Sequence, residues 1–453
     1  MKPGQILLAI LFIATGAARA QEVPAAPGSR PAVGPETAGP SGLTVGGTLH
    51  YDLRYSESTG YGNGQDGQQW SISSGDASYA NTNQRLPFTM QYGGGYSWAW
   101  NGPPSAGGVF QHLSLSQGIV RRAWNLMASE NVSYTFETPT TGFSGVPGSG
   151  EPIGEPVSNP LPDQTILTQN TRSLDNFTTM AIGHRLDYAT TLNIGGSWGQ
   201  MRFIDKNGQN SETLMADAGL TRRLNARNSV SGQYSFSRYS YNGASFATQT
   251  NTLQFGITRQ WNRRITTSAA AGPIRIASSG ISGTGSTALP ASTTLFLDAS
   301  ASYQFLRGSA GLSYSRGTTA GSGYMLGSKV NSVNANLSRT FGRSLTVGVT
   351  GSYVRSSSIF AAELLYDCQG NLCLVPLSIT PLTGAKYGGA QATRQLGRYI
   401  NVFANYTAIS QSSNLQIAVP NTPVGYDTNI LNGLNQMIGF GIGYSPRETR
   451  LKK

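Results

Sequence analysis

From residue 332 to residue 353 the side chains alternate in kind almost without interruption. Val333, Ala335, Leu337, Arg339 and Phe341 lead into Gly342-Arg343-Ser344, and Leu345, Val347, Val349, Gly351 and Tyr353 follow. Ser332, Asn334, Asn336, Ser338, Thr346, Gly348, Thr350 and Ser352 fill the places between. Strand side chains point to opposite faces with period two, so this hairpin has one apolar face, Arg339 near the turn excepted, and one strip of neutral hydrogen-bonding groups. A face suited to lipid backed by a face suited to water fits a sheet closed on itself in a membrane.

The device repeats along the chain. Leu43, Val45, Leu49, Tyr51, Leu53 and Tyr55 share one parity, as do Phe88, Met90, Tyr92, Tyr96, Trp98 and Trp100, then Trp124, Leu126, Ala128, Val132, Tyr134 and Phe136. Later runs include Leu192 to Trp198, Leu214 to Leu220, Val230 to Phe236, Leu253 to Trp261, Leu295 to Phe305, Ala310 to Tyr314, Ile400 to Tyr406 and Ile438 to Tyr444. With weaker runs near Trp70, Leu113, Met180, Ile265 and Ala390, the count is about 18 strands, 16 being the nearest alternative, and an even number returns both ends to the periplasm. The fold class is all-β, a transmembrane antiparallel up-and-down barrel. Short Arg-containing turns alternate with longer connections at 56–69, 138–169, 277–290, 356–386 and 409–434, matching the short periplasmic and long extracellular ends of such barrels. Trp261, Phe305, Phe341 and Tyr444 sit at turn-proximal strand ends and are expected to form one aromatic girdle.

The first residues set the compartment. Met1-Lys2 opens a basic n-region, Ile6 to Ala14 is apolar but too short to span a bilayer, and Ala18-Arg19-Ala20 is a small-x-small cleavage pattern. Residues 1–20 therefore read as a signal peptide and 21–42 as a flexible Pro/Gly/Ala-rich periplasmic leader. Residues 43–446 read as the barrel and 447–453 as a basic tail. No Cys follows the cleavage site to carry a lipoprotein anchor, and no later run reaches the length of a membrane helix. Charged residues are only 12% and mean hydropathy is -0.23, too polar for a helical membrane protein but ordinary where lipid-facing residues hide in alternation. The formal charge of +11 suggests nucleic acid at first sight, yet it forms no basic helix or patch. Arg121, Arg122, Arg222, Arg223, Arg227, Arg263, Arg264, Arg307, Arg343 and Arg398 fall in or beside the short turns, as a rim; no nucleic-acid partner is expected.

On these residues the chain resembles the Gram-negative outer-membrane barrels, and among them the porin-like class. The most specific piece is Gly439-Phe440-Gly441-Ile442-Gly443-Tyr444, similar to the terminal strand that the barrel-assembly machinery recognises in those proteins. The chain departs from them in running on past that strand, through Ser445 to Lys453. About 22 linker residues before Leu43 are too few for the plug of a TonB-dependent receptor or for periplasmic repeat domains. The resemblance implies partners in outer-membrane lipid and in small hydrophilic solutes, and leaves a homo-oligomer open.

Function then rests on the lumen, read as mostly Ser, Thr, Asn, Gln and Gly. A barrel of about 18 strands leaves an aqueous channel unless something fills it, so passive diffusion of small hydrophilic solutes is the leading reading. The alternative is a non-conducting receptor or adhesin acting through long extracellular loops. Asp52, Arg54, Asp217 and Asp298 are the candidate lumen charges, sparse enough for weak ion selectivity. The connection 138–169, rich in Pro and Gly around Glu151 and Glu155, resembles the constriction loop of porins; an ordinary surface loop is the competing reading, and the favoured one. Cys368 and Cys373, the two cysteines of an exported chain, are expected to form a local disulfide. His112 and Ser114 echo the spacing of an outer-membrane phospholipase pair, but Val109, Leu113 and Leu115 take the outward parity, leaving that pair in the lumen. No catalytic residue, metal site or cofactor is assigned.

Overall fold

The computed structural model describes residues 46–61, 68–81, 83, 85–100, 108–136, 166–167, 172–204, 210–241, 247–279, 291–323, 325–359, 363–368, 371–376, 382–413, 433–446 and 449–452. Its main element is a closed antiparallel barrel of 18 strands. In chain order these are β1 Gly46–Tyr61, β2 Gln68–Asn81, β3 Phe88–Ala99, β4 Gly108–Val120, β5 Trp124–Phe136 and β6 Arg172–Arg185. Next come β7 Thr190–Phe203, β8 Ser211–Arg223, β9 Asn228–Tyr241, β10 Ala247–Gln260, β11 Ile265–Ser279 and β12 Ser292–Phe305. The last six are β13 Gly308–Gly323, β14 Met325–Phe341, β15 Leu345–Ser358, β16 Leu382–Leu396, β17 Ile400–Ser413 and β18 Gly433–Tyr444. Each strand pairs with the next, and β18 closes the ring on β1 from Leu53↔Tyr444 to Tyr61↔Gln436. Closure leaves no unpaired edge, the condition for backbone to cross hydrocarbon as strands.

Two kinds of residue make six of the eight short turns. Asn225 Oδ1 accepts from the backbone N–H groups of Arg227 at 2.8 Å and Asn228 at 2.9 Å, and Asn262 does the same for Arg264 and Ile265 at 2.8 and 2.9 Å. Asn83 and Asp187 repeat the arrangement before β3 and β7. A short side-chain acceptor that caps its own turn is why Asn and Asp recur there. After β14 and β16 the turn instead needs a left-handed residue, supplied by Gly342 at φ 64° and Gly397 at φ 78°. The seam between β1 and β18 continues past Tyr444: Thr449–Lys452 pairs with Gly46–Leu49, so the basic tail extends the sheet.

Outward positions carry the apolar side chains, among them Phe255 and Phe440, each 63% exposed, with Leu53, Leu312, Val349 and Ile442. Of the expected girdle, Trp261, Phe341 and Tyr444 stand exposed, joined by Trp124, while Phe305 is half-buried beside Tyr303; Arg259 and Arg339 lie over the rings of Trp261 and Phe341. That is the girdle of an interface, where an arginine can extend its charge to the headgroups. The chain is a transmembrane barrel of the outer membrane, with its short turns at the periplasmic end.

Strand β2 breaks the simple pattern. Its partners on β1 and β3 fix Ser71, Ser73, Gly75, Ala77 and Tyr79 outward, so Trp70 and Ile72 face inward. The small outward residues are roofed by neighbours: Trp98 stacks on Tyr96 at 5.9 Å and approaches Tyr55 at 6.4 Å, while Trp100 donates to Ser71 Oγ at 2.6 Å. Several connections are also shorter than the alternation suggests. The strands bounding the expected 56–69 connection run on to Tyr61 and restart at Gln68, and those bounding 277–290 reach Ser279 and restart at Ser292. Polar residues continue the ladder there because only the lipid-facing parity, within the membrane, has to be apolar.

Candidate lumen and outer mouth

The inner wall is built to lie flat. Glycines on the lumenal parity leave niches that a neighbouring strand's side chain occupies: His112 lies over Gly93, Phe110 over Gly95, Phe177 over Gly199, Asp217 over Gly195 and Phe403 over Gly441. A Cβ at any of these glycines would run into the side chain above it. Long side chains thus run along the wall instead of across the channel. Phe403 continues into a small inward cluster with Met437 and Ile72, on β17, β18 and β2.

Between these patches the wall is polar and internally bonded. Gln254 donates to Gln233 at 2.7 Å, and Gln233 to Asp217 at 3.3 Å, a chain across β10, β9 and β8. Ser315 and Ser332 meet at 2.6 Å, and Ser352 donates to Asn334 at 2.7 Å.

The register places Asp52, Arg54, Asp217 and Asp298 on the lumenal parity of β1, β8 and β12. It adds two carboxylates that sequence reasoning missed, Asp76 and Asp175. Asp76 is directly opposite Asp52, and Arg54 bridges them, 2.9 Å from Asp52 and 3.7 Å from Asp76, with His50 Nε2 3.3 Å from Asp52. Among the described strand residues, the inward carboxylates are Asp52, Asp76, Asp175, Asp217 and Asp298. The inward cations are Arg54 and, at the turn-proximal ends, Arg185 and Arg223, with Arg450 and Lys452 of the tail on the same parity opposite Thr48 and Gly46. The signal for Asp76 lay in its even spacing from Trp70 and Ile72, which reads as a lipid face until β1 and β3 fix the register. No group of three or more His, Cys, Asp or Glu that could hold a metal occurs among the described residues.

Glu151 and Glu155 lie outside the described residues, but the end of their connection does not. Ile166–Leu167 pairs in parallel with Ser322–Gly323 at the outer end of β13. The connection begins at β5 and ends at β6, far around the ring from β13. Leu167 is five residues from Arg172, a reach of at most roughly 18 Å. Eighteen strands spaced about 4.8 Å and tilted about 40° close into a barrel roughly 35 Å across. The pairing therefore lies over the mouth, inside the ring. Strand β13 itself approaches β8 from the far side. Backbone from the connection between β5 and β6 and from the outer end of β13 meets there.

His112 and Ser114 sit on the lumenal parity of β4, opposite Gly93 and Gln91. In the connection after β15, Glu363–Cys368 pairs with Asn371–Pro376, setting Cys368 opposite Asn371 and Cys373 opposite Tyr366. The two cysteines are diagonal neighbours in that backbone register, and their side chains lie outside the described residues.

No family model and no curated protein matches the chain. Solved structures similar to it include Pseudomonas aeruginosa OccK2 (OpdF), 11% identical over 88% of this chain and 98% of that one, with a TM-score of 0.45. Pseudomonas aeruginosa OccK5 (OpdH) is 10% identical over 90% of this chain and 100% of that one, with a TM-score of 0.42. The open form of the ferric-catecholate import receptor Fiu from E. coli K12 is 12% identical over 86% and 81%, with a TM-score of 0.41.

Proposed function

We propose that the chain is a passive diffusion channel for small hydrophilic solutes with a modest preference for cations, narrowed at its outer mouth by the connection between β5 and β6. The observation that carries this reading is the inner wall: polar, lying flat over glycine niches, and, above the turn-proximal rim, lined among the described strand residues by Asp52, Asp76, Asp175, Asp217 and Asp298 against Arg54. Charged rings are the usual source of ion preference, and here the fixed charge is negative and scattered, so discrimination is weak. This moves the expectation from a neutral lumen to a mildly cation-attracting one.

Narrowing by the connection draws support from Ile166–Leu167, which sits on the opposing hairpin over the mouth. Glu151 and Glu155 are the carboxylates that such a crossing segment would offer to solute. Recording single channels in planar bilayers tests both parts. Wild type should conduct and reverse at a voltage of the cation-preferring sign, and deleting residues 146–156 should raise the conductance. A silent protein would favour a receptor or adhesin barrel, and an unchanged conductance after deletion would place those residues outside the conduction path.

A further inference from the structure

The outer wall carries a second charged site, independent of whether the lumen conducts. Arg316 on β13, Asn331 on β14 and Arg355 on β15 are mutual register partners in one outward row. Lys329 lies one outward position above Asn331, and Lys386 on β16 pairs with Tyr353 one outward position below Arg355. Strand gaps of about 4.8 Å, three at most, and an offset of at most four residues along the strands keep the Cα atoms of the four cations within about 17 Å of one another. None of the four has a charged partner among the described residues.

The other outward charges behave differently. Glu57 accepts from Tyr55 at 2.8 Å, Glu130 from Thr178 at 2.7 Å and Glu212 from Trp198 at 2.7 Å, each on β1, β5 or β8. From β9 to β18 the described outward positions hold no carboxylate at all. The four cations thus face a surface with nothing negative on it.

Their height identifies what they meet. Asn331 is ten residues from the girdle residue Phe341, which is roughly 25 Å along the membrane normal for a strand tilted about 40°. That equals the height of the apolar band, so the row sits at the outer headgroup level. The outward row just beneath holds Tyr314 and Tyr353, amphipathic rings of the kind found at an interface, and Tyr314 donates to Asn331 at 3.4 Å.

We infer that Arg316, Lys329, Arg355 and Lys386 bind the headgroup of an outer-leaflet lipid carrying more than one phosphate. Guanidinium groups match phosphate oxygens two at a time, and Asn331 supplies a neutral donor between them. A span of this size exceeds what one phosphate can bridge, which favours a multiply phosphorylated headgroup over a free anion.

The test is lipid retention by the detergent-purified full chain, read by native mass spectrometry against diphosphoryl lipid A, monophosphoryl lipid A and phosphatidylcholine. Wild type should retain the diphosphoryl form best. The combined variant Arg316→Gln, Lys329→Gln, Arg355→Gln, Lys386→Gln should weaken that retention on the order of 100-fold or more, since each basic group near a lipid surface adds to the attraction. Arg202→Gln with Arg238→Gln, outward arginines elsewhere on the wall, should leave it unchanged. If the combined variant does not fold, Arg316→Gln with Arg355→Gln against Arg316→Lys with Arg355→Lys decides, the charge-keeping pair retaining lipid and the neutral pair losing it. Equal retention by wild type and the neutral variants, or no preference of wild type for phosphate, would overturn the site. Displacement by inorganic phosphate alone would also overturn it, by making it a free-anion site.

Discussion

Strand β2 and the hairpin β14–β15 solve the same problem in opposite ways. In β14–β15 most outward positions between the turn and the outer headgroup level supply their own apolar side chain, from Val333 and Leu337 to Val349 and Tyr353, Arg339 and Gly351 excepted, and the lumenal positions are Ser, Thr, Asn and Gly, with Val330 and Val354 near the outer end. In β2 the outward positions are mostly Ser, Gly and Ala, and aromatic rings from β1 and β3 cover them, while Trp70, 2% exposed, and Ile72 turn inward. What lipid requires is an apolar surface, and a strand can borrow that surface from its neighbours. Alternation is therefore a property of the sheet before it is a property of the strand.

The largest effect expected from this difference is inside the barrel. Phe403→Ala removes the ring that Ile72 and Met437 pack against, and the cost should be about 3–5 kcal/mol, as for other large-to-small changes at buried sites. Urea unfolding in lipid vesicles checks it; a cost near zero would mean that the inward apolar cluster contributes nothing.

Next in size is a paired substitution in each region. Val349→Arg and Ala77→Arg both place a cation on the lipid side near mid-height, and each should cost about 2–4 kcal/mol although only one replaces an obviously apolar residue. Thr350→Arg and Ser78→Arg, one residue along, face water and should fold with little loss. Were Ala77→Arg tolerated and Ser78→Arg destabilising, the assignment of β2 would be reversed.

How far the sequence could be read follows from the same contrast. The barrel class, the strand number and the lumenal parity of Asp217 and Asp298 were legible because their strands carry their own alternation. Asp76 and Asp175 were not, since β2 and the outer half of β6 hold too few apolar residues to reveal their faces; Asn176 and Thr178 point to lipid beside Met180. The Asn-x-Arg spacing at 83–85, 225–227 and 262–264 was present in the sequence and marks three of the turns by the capping just described. The crossing of the mouth by Ile166–Leu167 was beyond reach, because pairing between distant strands leaves no periodic signal.

A smaller effect sharpens the idea of borrowed surface. Ser71→Ala deletes the acceptor for the Trp100 indole and should cost about 0.5–1.5 kcal/mol, the worth of one hydrogen bond, without altering conductance. A loss of several kcal/mol would show that the serine does more than hold its roof.

The smallest effect lies in the turns, away from both regions. The backbone N–H of Ala189, with further bonds from Thr190 and the charge of Arg222, holds the Asp187 carboxyl below its ordinary value. A depressed folded value means that this contribution is complete above the ordinary carboxylate range and fades as pH falls through the lowered value. Asp187→Asn keeps the side-chain oxygen that caps the turn and cannot titrate. Stability compared at about pH 6 and about pH 3 should drop slightly more in wild type than in the variant, and identical profiles would remove Asp187 from the pH response.

The most direct test of a water-filled lumen with this register is cysteine modification during single-channel recording, in a background with Cys368 and Cys373 changed to Ser. Ser74→Cys and Thr350→Cys should react with a water-soluble thiol reagent and lower the current, whereas Ser73→Cys and Val349→Cys, one residue away on each strand, should leave it unchanged. Current block from the second pair, or no reaction at either member of the first, would contradict the account.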